Sequence, residues 1–258
     1  MIRLIASDID GTLLQNGEKQ LSERLFPLLE RILAQGIRFV PASGRPYASL
    51  QPLFGPIKEK LSYICENGAL LMDRGEPFSL TELPRKDALQ MAGEIMAFGG
   101  LQVLVSGISA RFILEGDLDW LHQVGYFVGR EVSPVSQIDQ ISEPILKVTA
   151  WCPMGVTDSI REQFETRWAD RYSVAIAGDN WLDITLADKG KGLREMASHL
   201  EVSEDEIMVF GDNFNDLPMF RAAGISYAMN SSAPQVKEKA THVCGRVEDV
   251  LEKILSEK

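Results

Sequence analysis

The sequence predicts an α/β fold, a doubly wound and mainly parallel Rossmann-like sheet with an inserted α+β domain. The chain begins with alternating strand-like and helix-like segments. This alternation breaks near residues 81–84 and returns after residue 186. A β-α-β-α-β order is typical of a doubly wound sheet. We therefore expect a core domain from residues 1–82 and 187–258, and an inserted domain from residues 83–186.

The first part of the core holds three predicted strands. A short apolar stretch after Arg3 forms the first, and a helix capped by Ser22 and stopped at Gly36 leads to the second. One face of that helix carries the apolar residues Leu25, Leu28, Leu29, Ile32 and Leu33. The second strand is Ile37–Val40, and the third, Tyr63–Cys65, meets a sharp turn at residues 66–68. Asn-Gly in that turn suits positive φ.

The helices and strands of the insertion and of the second part of the core are predicted from the spacing of their apolar residues. For the insertion we predict helices at 86–98, 118–127 and 156–169 and strands at 101–105, 111–114, 145–151, 172–176 and 181–186. For the returning core we predict helices at 192–200, 216–223 and 233–239, a closing helix from 247, and strands at 207–210 and 225–228.

Composition excludes several classes of protein. With 258 residues, 45% hydrophobic and 24% charged, the chain can bury a sizeable core. A net charge of −11 opposes a protein that coats nucleic acid. Three separated cysteines, Cys65, Cys152 and Cys244, predict reduced thiols, and three scattered histidines oppose a zinc site. Because no signal pattern or membrane-length apolar run occurs, we expect a cytoplasmic protein, a monomer or weak homo-oligomer, with no membrane partner.

Asp8 and Asp10 stand one residue apart just after the first predicted strand. At alternate positions of an extended backbone two carboxylates point the same way, and like charges repel unless a cation or a shared proton intervenes. Gly11 and Thr12 add a flexible turn and a hydroxyl. A bare Asp-x-Asp more often forms a solvated turn or a helix cap, but the carboxyl end of a strand is where open α/β sheets bind ligands.

A second acidic cluster follows a later strand. The predicted strand 207–210 is followed by Gly211-Asp212-Asn213-Phe214-Asn215-Asp216, which alone could be a polar turn with Asp216 as a helix cap. If the two strands are neighbours, both clusters face one crevice. Oxygen ligands without nearby His or Cys favour Mg²⁺ over zinc.

Two further segments suit an anion. Ser43 and Gly44 end the second strand, where a hydroxyl and backbone N–H groups could hold a phosphate oxygen. Lys189 and Lys191 precede a predicted helix, so a lysine could be aimed at the same crevice. Taken singly, Ser43 could be an ordinary cap and the lysines solvated surface charges.

In order and spacing these motifs resemble those of haloacid dehalogenase (HAD) superfamily phosphatases, specifically the Cof-type branch (type IIB, C2 cap). The resemblance covers essentially the whole chain, with Asp8–Leu13 as first motif, Ser43–Arg45 as second, Lys191-Gly192 as third and Gly211–Asp216 as fourth. It implies that the insertion is an α/β cap domain. Since Lys189 is also followed by glycine, the third motif has two possible registers, and counting from the strand that ends at Thr185 favours Lys191.

The resemblance also implies a role for each residue. Asp8 would form an aspartyl-phosphate, and Asp10 would donate and accept the proton. Mg²⁺ would be held by Asp8, Asp212 and the carbonyl of Asp10, with Asp216 steadying its waters. The phosphate-binding set would be Gly11, Thr12, Ser43, Gly44, Arg45, Lys191 and Asn215.

The predicted function is therefore Mg²⁺-dependent hydrolysis of small phosphate monoesters, such as sugar phosphates or phosphorylated cofactors. A phosphomutase using the same aspartate pair, or a non-catalytic phospho-ligand sensor on the same fold, stays open at this point. Selectivity should come from the cap, whose candidate contacts are also plausible core residues: Trp120, His122, Tyr126, Lys147, Trp151 and Trp181. Residues 66–68 are a further candidate for the border of the entrance.

Overall fold

The computed structural model describes residues 1–114 and 132–256 and divides the chain into two compact units. One unit, the core, is formed by Met1–Ser79 and Asp188–Lys258, and the other by Leu80–Ala187. Each has its own sheet, and the predicted α/β class with an inserted α+β cap is confirmed. In the part of the chain that the structure describes, no helix has the length and apolarity to cross a membrane.

A five-stranded parallel sheet forms the centre of the core unit, in the order β14-β13-β12-β1-β2. Its strands are β1 (Leu4–Ser7), β2 (Arg38–Pro41), β12 (Ile207–Gly211), β13 (Ile225–Met229) and β14 (His242–Cys244). β1 lies between β12 and β2, with Ser7 opposite Phe210 on one side and Pro41 on the other. The carboxyl ends of these three strands are therefore adjacent, so the residues that follow them meet at one edge.

Short helices connect these strands. The core unit contains α1 (Leu25–Ala34), α2 (Tyr47–Leu50), α5 (Lys189–His199), α6 (Leu217–Phe220), α7 (Pro234–Lys237) and α8 (Val247–Ser256), with 3₁₀ segments at Gln51–Lys60, Glu66–Gly68, Glu204–Glu206 and Phe214–Asp216. Leu193 and Met196 of α5 share a buried cluster with Leu4 and Ala6 of β1. This packing places the start of α5 beside the end of β1.

The third predicted strand belongs to a separate small sheet. β3 (Ser62–Cys65), β4 (Leu70–Asp73) and β5 (Glu76–Leu80) follow one another in it, and β3 pairs antiparallel with β4. A single parallel bridge, between Ala42 and Ile64, links it to the chain that follows β2. The predicted strand at 63–65 is observed as β3, and residues 66–68 reverse the chain after it into its antiparallel partner β4.

The second unit is a two-layer α+β structure. Its six-stranded sheet has the order β10-β11-β9-β6-β7-β8 and is antiparallel apart from the β7–β8 pair. The elements are α3 (Arg85–Phe98), β6 (Gln102–Ser106), β7 (Arg111–Leu114), β8 (Val132–Val135), a 3₁₀ turn (Ile138–Gln140), β9 (Lys147–Trp151), α4 (Asp158–Trp168), β10 (Ser173–Ala177) and β11 (Trp181–Thr185). The helix predicted at 118–127 lies outside the described residues.

Candidate active site

Asp8 and Asp212 follow adjacent strands and approach each other closely. The N–H of Asp8 donates to the carbonyl of Phe210 at 2.9 Å, which extends the β1–β12 pairing to the base of the site. Thr12 donates its hydroxyl proton to Asp212 at 3.2 Å. Gly11 has φ +95°, and a Cβ at this position would overlap the Asp212 carboxylate. Glycine is therefore required here both by the backbone conformation and by the approach of this carboxylate.

Asp216 is fully buried and closes the loop that carries Asp212. Its Oδ2 accepts from the N–H groups of Asp212, at 2.9 Å, and Asn213, at 3.0 Å. Its Oδ1 accepts from Lys189 Nζ at 2.6 Å. Asp216 stands at the N-cap position of α6, but its carboxylate binds back into the loop and forms no side-chain cap on that helix.

Lys189 occupies the place that the sequence assigned to Lys191. The ammonium of Lys189 is buried and donates to both Asp8 and Asp216. The side chain of Lys191 is 63% exposed, and its Nζ lies 3.7 Å from Asp188 Oδ2. The preference for Lys191 is therefore corrected to Lys189.

Helix geometry explains the correction. α5 begins at Lys189, three residues before the predicted start, and the Asp188 carboxylate caps it by accepting from the N–H of Lys191 at 2.8 Å. Lys189 precedes the buried residues Leu193 and Met196 by four and seven positions, which puts all three on one helix face. Extending the apolar periodicity backwards from Leu193 would have identified Lys189 from the sequence.

The cluster carries more negative than positive charge. Asp8, Asp212 and Asp216 supply three carboxylates, and Lys189 supplies one ammonium. Burial raises the pKa of Asp8 well above its usual value, although Lys189 opposes the shift. Burial, followed by the charge of Asp216, raises the pKa of Asp212 to about 6. Burial alone would lower the pKa of Lys189, but Asp216 and Asp8 reverse this and raise it, so Lys189 stays charged.

A divalent cation fits this excess charge. Oxygens of Asp8, Asp212 and Asp216 lie within 4.8 Å of one another. Asp8 Oδ2 is buried and, among the described residues, has no hydrogen-bond partner. An all-oxygen donor set suits a hard cation such as Mg²⁺. The acidic cluster could therefore bind a metal ion.

Asp10 and Arg45 form a bidentate ion pair beside this cluster. Arg45 Nε lies 2.8 Å from Asp10 Oδ2, and Arg45 Nη2 lies 2.5 Å from Asp10 Oδ1. Asp10 is exposed, whereas the Arg45 side chain is mostly buried. Sequence reasoning assigned Arg45 to phosphate but did not find this pair, because two residues 35 positions apart carry no local signal of contact.

The other predicted phosphate ligands lie on loops of the same unit. Ser43 is buried, and its hydroxyl oxygen accepts from the N–H of Arg45 at 3.1 Å. Gly44 lies between these two residues, against the side chain of Asn67. Asn215 is half-buried in the Asp212–Asp216 loop.

Three of the six candidate contacts in the cap are described. Lys147 is buried and forms an ion pair with Asp183 at 3.1 Å, and Thr149 also donates to Asp183, at 2.6 Å. The rings of Trp151 and Trp181 lie 6.4 Å apart on adjacent strands. The other three candidates fall outside the described residues: Trp120, His122 and Tyr126.

Comparison with known proteins identifies the family. A sequence model of the haloacid dehalogenase-like hydrolases matches residues 5–254. The chain belongs to this family. The predicted family and enzyme class are thereby confirmed.

Relatives and solved structures match along nearly the whole chain. This HAD hydrolase is 26% identical to the 5-amino-6-(5-phospho-D-ribitylamino)uracil phosphatase YbjI of Escherichia coli K12, over 98% of this chain and 96% of the relative. It is 25% identical to an HMP-PP phosphatase of Escherichia coli O157:H7, over 94% and 89%. A crystal structure from Eubacterium rectale superposes with a TM-score of 0.85 at 28% identity, covering 98% of this chain and 99% of the other.

The raised pKa of Asp212 gives a testable dependence of stability on pH. Without metal, the Asp212 carboxyl is more protonated in the folded protein than in the unfolded chain between about pH 4 and 6, so its contribution to stability falls as pH rises through that window. Because Mg²⁺ competes with the proton, it should raise the melting temperature more at about pH 7.5 than at about pH 5. Calorimetric scans with and without Mg²⁺ measure this, with Asp212→Asn as the matched variant. A gain that is equal at both pH values would contradict it.

Proposed function

We propose that this chain is a Mg²⁺-dependent phosphatase that hydrolyses small phosphate monoesters through an aspartyl-phosphate at Asp8. The observation that carries the proposal is the position of Lys189, whose buried ammonium holds Asp8 and Asp216 while Asp8 Oδ2 has no hydrogen-bond partner among the described residues. A carboxylate fixed in this way by one oxygen has the other available for the phosphorus atom or a cation.

The metal site would use the acidic cluster. Asp8 and Asp212 would bind Mg²⁺ through their carboxylates, and the Asp10 carbonyl would complete the protein ligands. Both oxygens of Asp216 already accept hydrogen bonds from the protein, so it is better suited to hold the loop and Lys189. When bound, the cation would neutralise charge on the phosphoryl oxygens.

The reaction would occur as two displacements. An oxygen of Asp8 bonds to phosphorus as the ester P–O bond breaks, and the departing alkoxide takes a proton from Asp10. Water then bonds to phosphorus, Asp10 takes its proton, and the bond to Asp8 breaks to release orthophosphate. Ser43, Lys189 and the backbone of Gly11 and Thr12 would hold the phosphoryl oxygens, assisted by Asn215.

The ion pair between Arg45 and Asp10 adds a step to the reaction. Both oxygens of Asp10 are bound by Arg45, so at least one must be released before Asp10 can donate a proton. An incoming phosphate dianion offers the guanidinium another bidentate partner. We therefore infer that substrate binding transfers Arg45 from Asp10 to the phosphate.

The substrate class rests on the relatives. Two of the proteins compared above are named for the compounds they act on, 5-amino-6-(5-phospho-D-ribitylamino)uracil and HMP-PP. We propose sugar phosphates or phosphorylated cofactor precursors as substrates of this chain, with the cap unit selecting among them. The cysteines Cys65, Cys152 and Cys244 are buried and free, which suits a reducing compartment such as the cytoplasm.

A panel of phosphate esters tests the proposal. The purified protein should release inorganic phosphate from at least one sugar phosphate or cofactor precursor, release should stop with a chelator, and Mg²⁺ should restore it. An undiminished rate in the chelator would contradict the metal assignment. Isomerised sugar phosphates without free phosphate would indicate a phosphomutase, and no turnover of any ester would indicate a phospho-ligand sensor.

A further inference from the structure

Three consecutive residues with positive φ follow β3. Glu66, Asn67 and Gly68 have φ values of +49°, +56° and +100°, and Glu66 and Asn67 are buried. This left-handed region is unfavourable for residues with a Cβ, and glutamate adopts it rarely. Such a conformation persists where surrounding contacts fix it, and it is often found beside functional sites. We call these three residues the left-handed turn.

One side of the left-handed turn holds the loop Ser43–Arg45. The N–H of Glu66 donates to the carbonyl of Arg45 at 3.0 Å, and the N–H of Asn67 donates to the carbonyl of Ser43 at 3.0 Å. A Cβ on Gly44 would lie 3.1 Å from Asn67 Oδ1 and 3.3 Å from Nδ2. The backbone of the turn therefore fixes both ends of this loop, and the Asn67 side chain packs against its middle residue.

The other side of the turn contacts the start of α5. A Cβ on Gly68 would lie 2.6 Å from the carbonyl oxygen of Asp188, and a Cβ on Gly192 would lie 3.0 Å from the Cα of Gly68. Asp188 caps α5 and directly precedes Lys189. Backbone thus packs on backbone at this point, so a displacement of Gly68 would also displace the segment that carries Lys189.

We propose that the left-handed turn is a positioning element of the active site, which sets the Ser43–Arg45 loop and Lys189 at a fixed separation. The inference rests on the proposed function for the roles of those residues. No residue of the turn needs to touch substrate, since its effect passes through the two segments it contacts. Because groups that act together on one phosphoryl group must be held within a fraction of an ångström, loosening the turn should lower turnover.

The sharpest test replaces Asn67 with glycine. Glycine accepts φ +56°, so Asn67→Gly keeps the backbone of the turn and removes only the side chain against Gly44. Asn16→Gly is the matched control, because Asn16 has φ +52° and is exposed. For Asn67→Gly we expect kcat to fall about tenfold, KM to change less, and amide hydrogen exchange in residues 43–45 to accelerate. The control should show none of these changes.

Gly68→Ala tests the contact with α5. Its control is Gly75→Ala, where φ is +90° but the nearest atom to a Cβ is the end of the flexible Glu59 side chain, at 3.2 Å. Both variants should lose stability, but only Gly68→Ala should lower kcat and accelerate exchange in residues 189–193. If Gly68→Ala does not fold, the Asn67→Gly comparison decides.

The rates of amide hydrogen exchange test this inference independently of the proposed function. A chain with no phosphatase activity would contradict the function, whereas the exchange measurements would still test whether the turn holds the two segments. Unchanged exchange in residues 43–45 of Asn67→Gly would overturn the inference. Faster exchange with an unaltered kcat would also overturn it, since the turn would then be structural only.

Discussion

Asp8→Asn should lower phosphate release by at least about a thousandfold, because the amide cannot act as the anionic nucleophile. Asparagine has nearly the same shape as aspartate, and its side-chain oxygen can still accept the hydrogen bond that Lys189 donates to Asp8. The fold should therefore survive the change. Steady-state phosphate release, measured with saturating Mg²⁺, gives the result.

Two further variants are compared with Asp8→Asn. Asp10→Asn should cost about a hundredfold to ten-thousandfold, since it removes proton transfer but leaves the nucleophile in place. Asp170→Asn makes the same chemical change at an exposed position and should leave turnover unaltered. Near-normal turnover by Asp8→Asn would refute the assignment of Asp8 as nucleophile.

Lys189→Met should lower turnover by about a hundredfold or more, whereas Lys191→Met should change it by less than about twofold. Removing Lys189 deprives two buried carboxylates of their cation, at Asp8 and Asp216. We therefore expect the free energy of unfolding to fall by about 3–5 kcal/mol. Kinetics and urea unfolding of the two methionine variants measure both effects.

A double variant separates the stability effect from the catalytic effect. Adding Asp216→Asn to Lys189→Met removes one of the stranded charges, so it should recover part of the lost stability without recovering turnover. If Lys191→Met is inactive and Lys189→Met is active, the assignment of Lys189 as the lysine of the active site is contradicted.

The sequence predicts the candidate site best where its acidic residues directly follow predicted strands. Asp8 and Asp212 could be placed at one edge because both follow buried strands, and adjacency of β1 and β12 is the only further condition. Lys189 could also be predicted from the sequence, since its spacing to Leu193 places it on the buried face of α5. Its assignment failed because the preceding strand, rather than the helix face, was used to set the register.

Other features depend on contacts between segments distant in the chain. The pair of Arg45 with Asp10 is set by the paths of two loops, and neither residue's neighbours indicate it. The Asn-Gly of the left-handed turn predicted positive φ, but its packing against Asp188 needs the position of α5. Such contacts form only when the fold is complete, so local propensity could not predict them.

The most direct test of the account is the site of covalent phosphorylation. An aryl phosphate has a leaving group that needs no proton, so with this substrate Asp10→Asn should slow the second displacement more than the first. An acid quench soon after mixing the variant with an aryl phosphate and Mg²⁺ should then trap the phosphoryl group on the enzyme. Mass spectrometry of the proteolysed protein should then show the mass of one phosphoryl group on the peptide containing Asp8, and none in the Asp8→Asn/Asp10→Asn double variant. Phosphoryl transfer to another residue, or efficient hydrolysis with an unlabelled Asp8 peptide in every quench, would contradict the account.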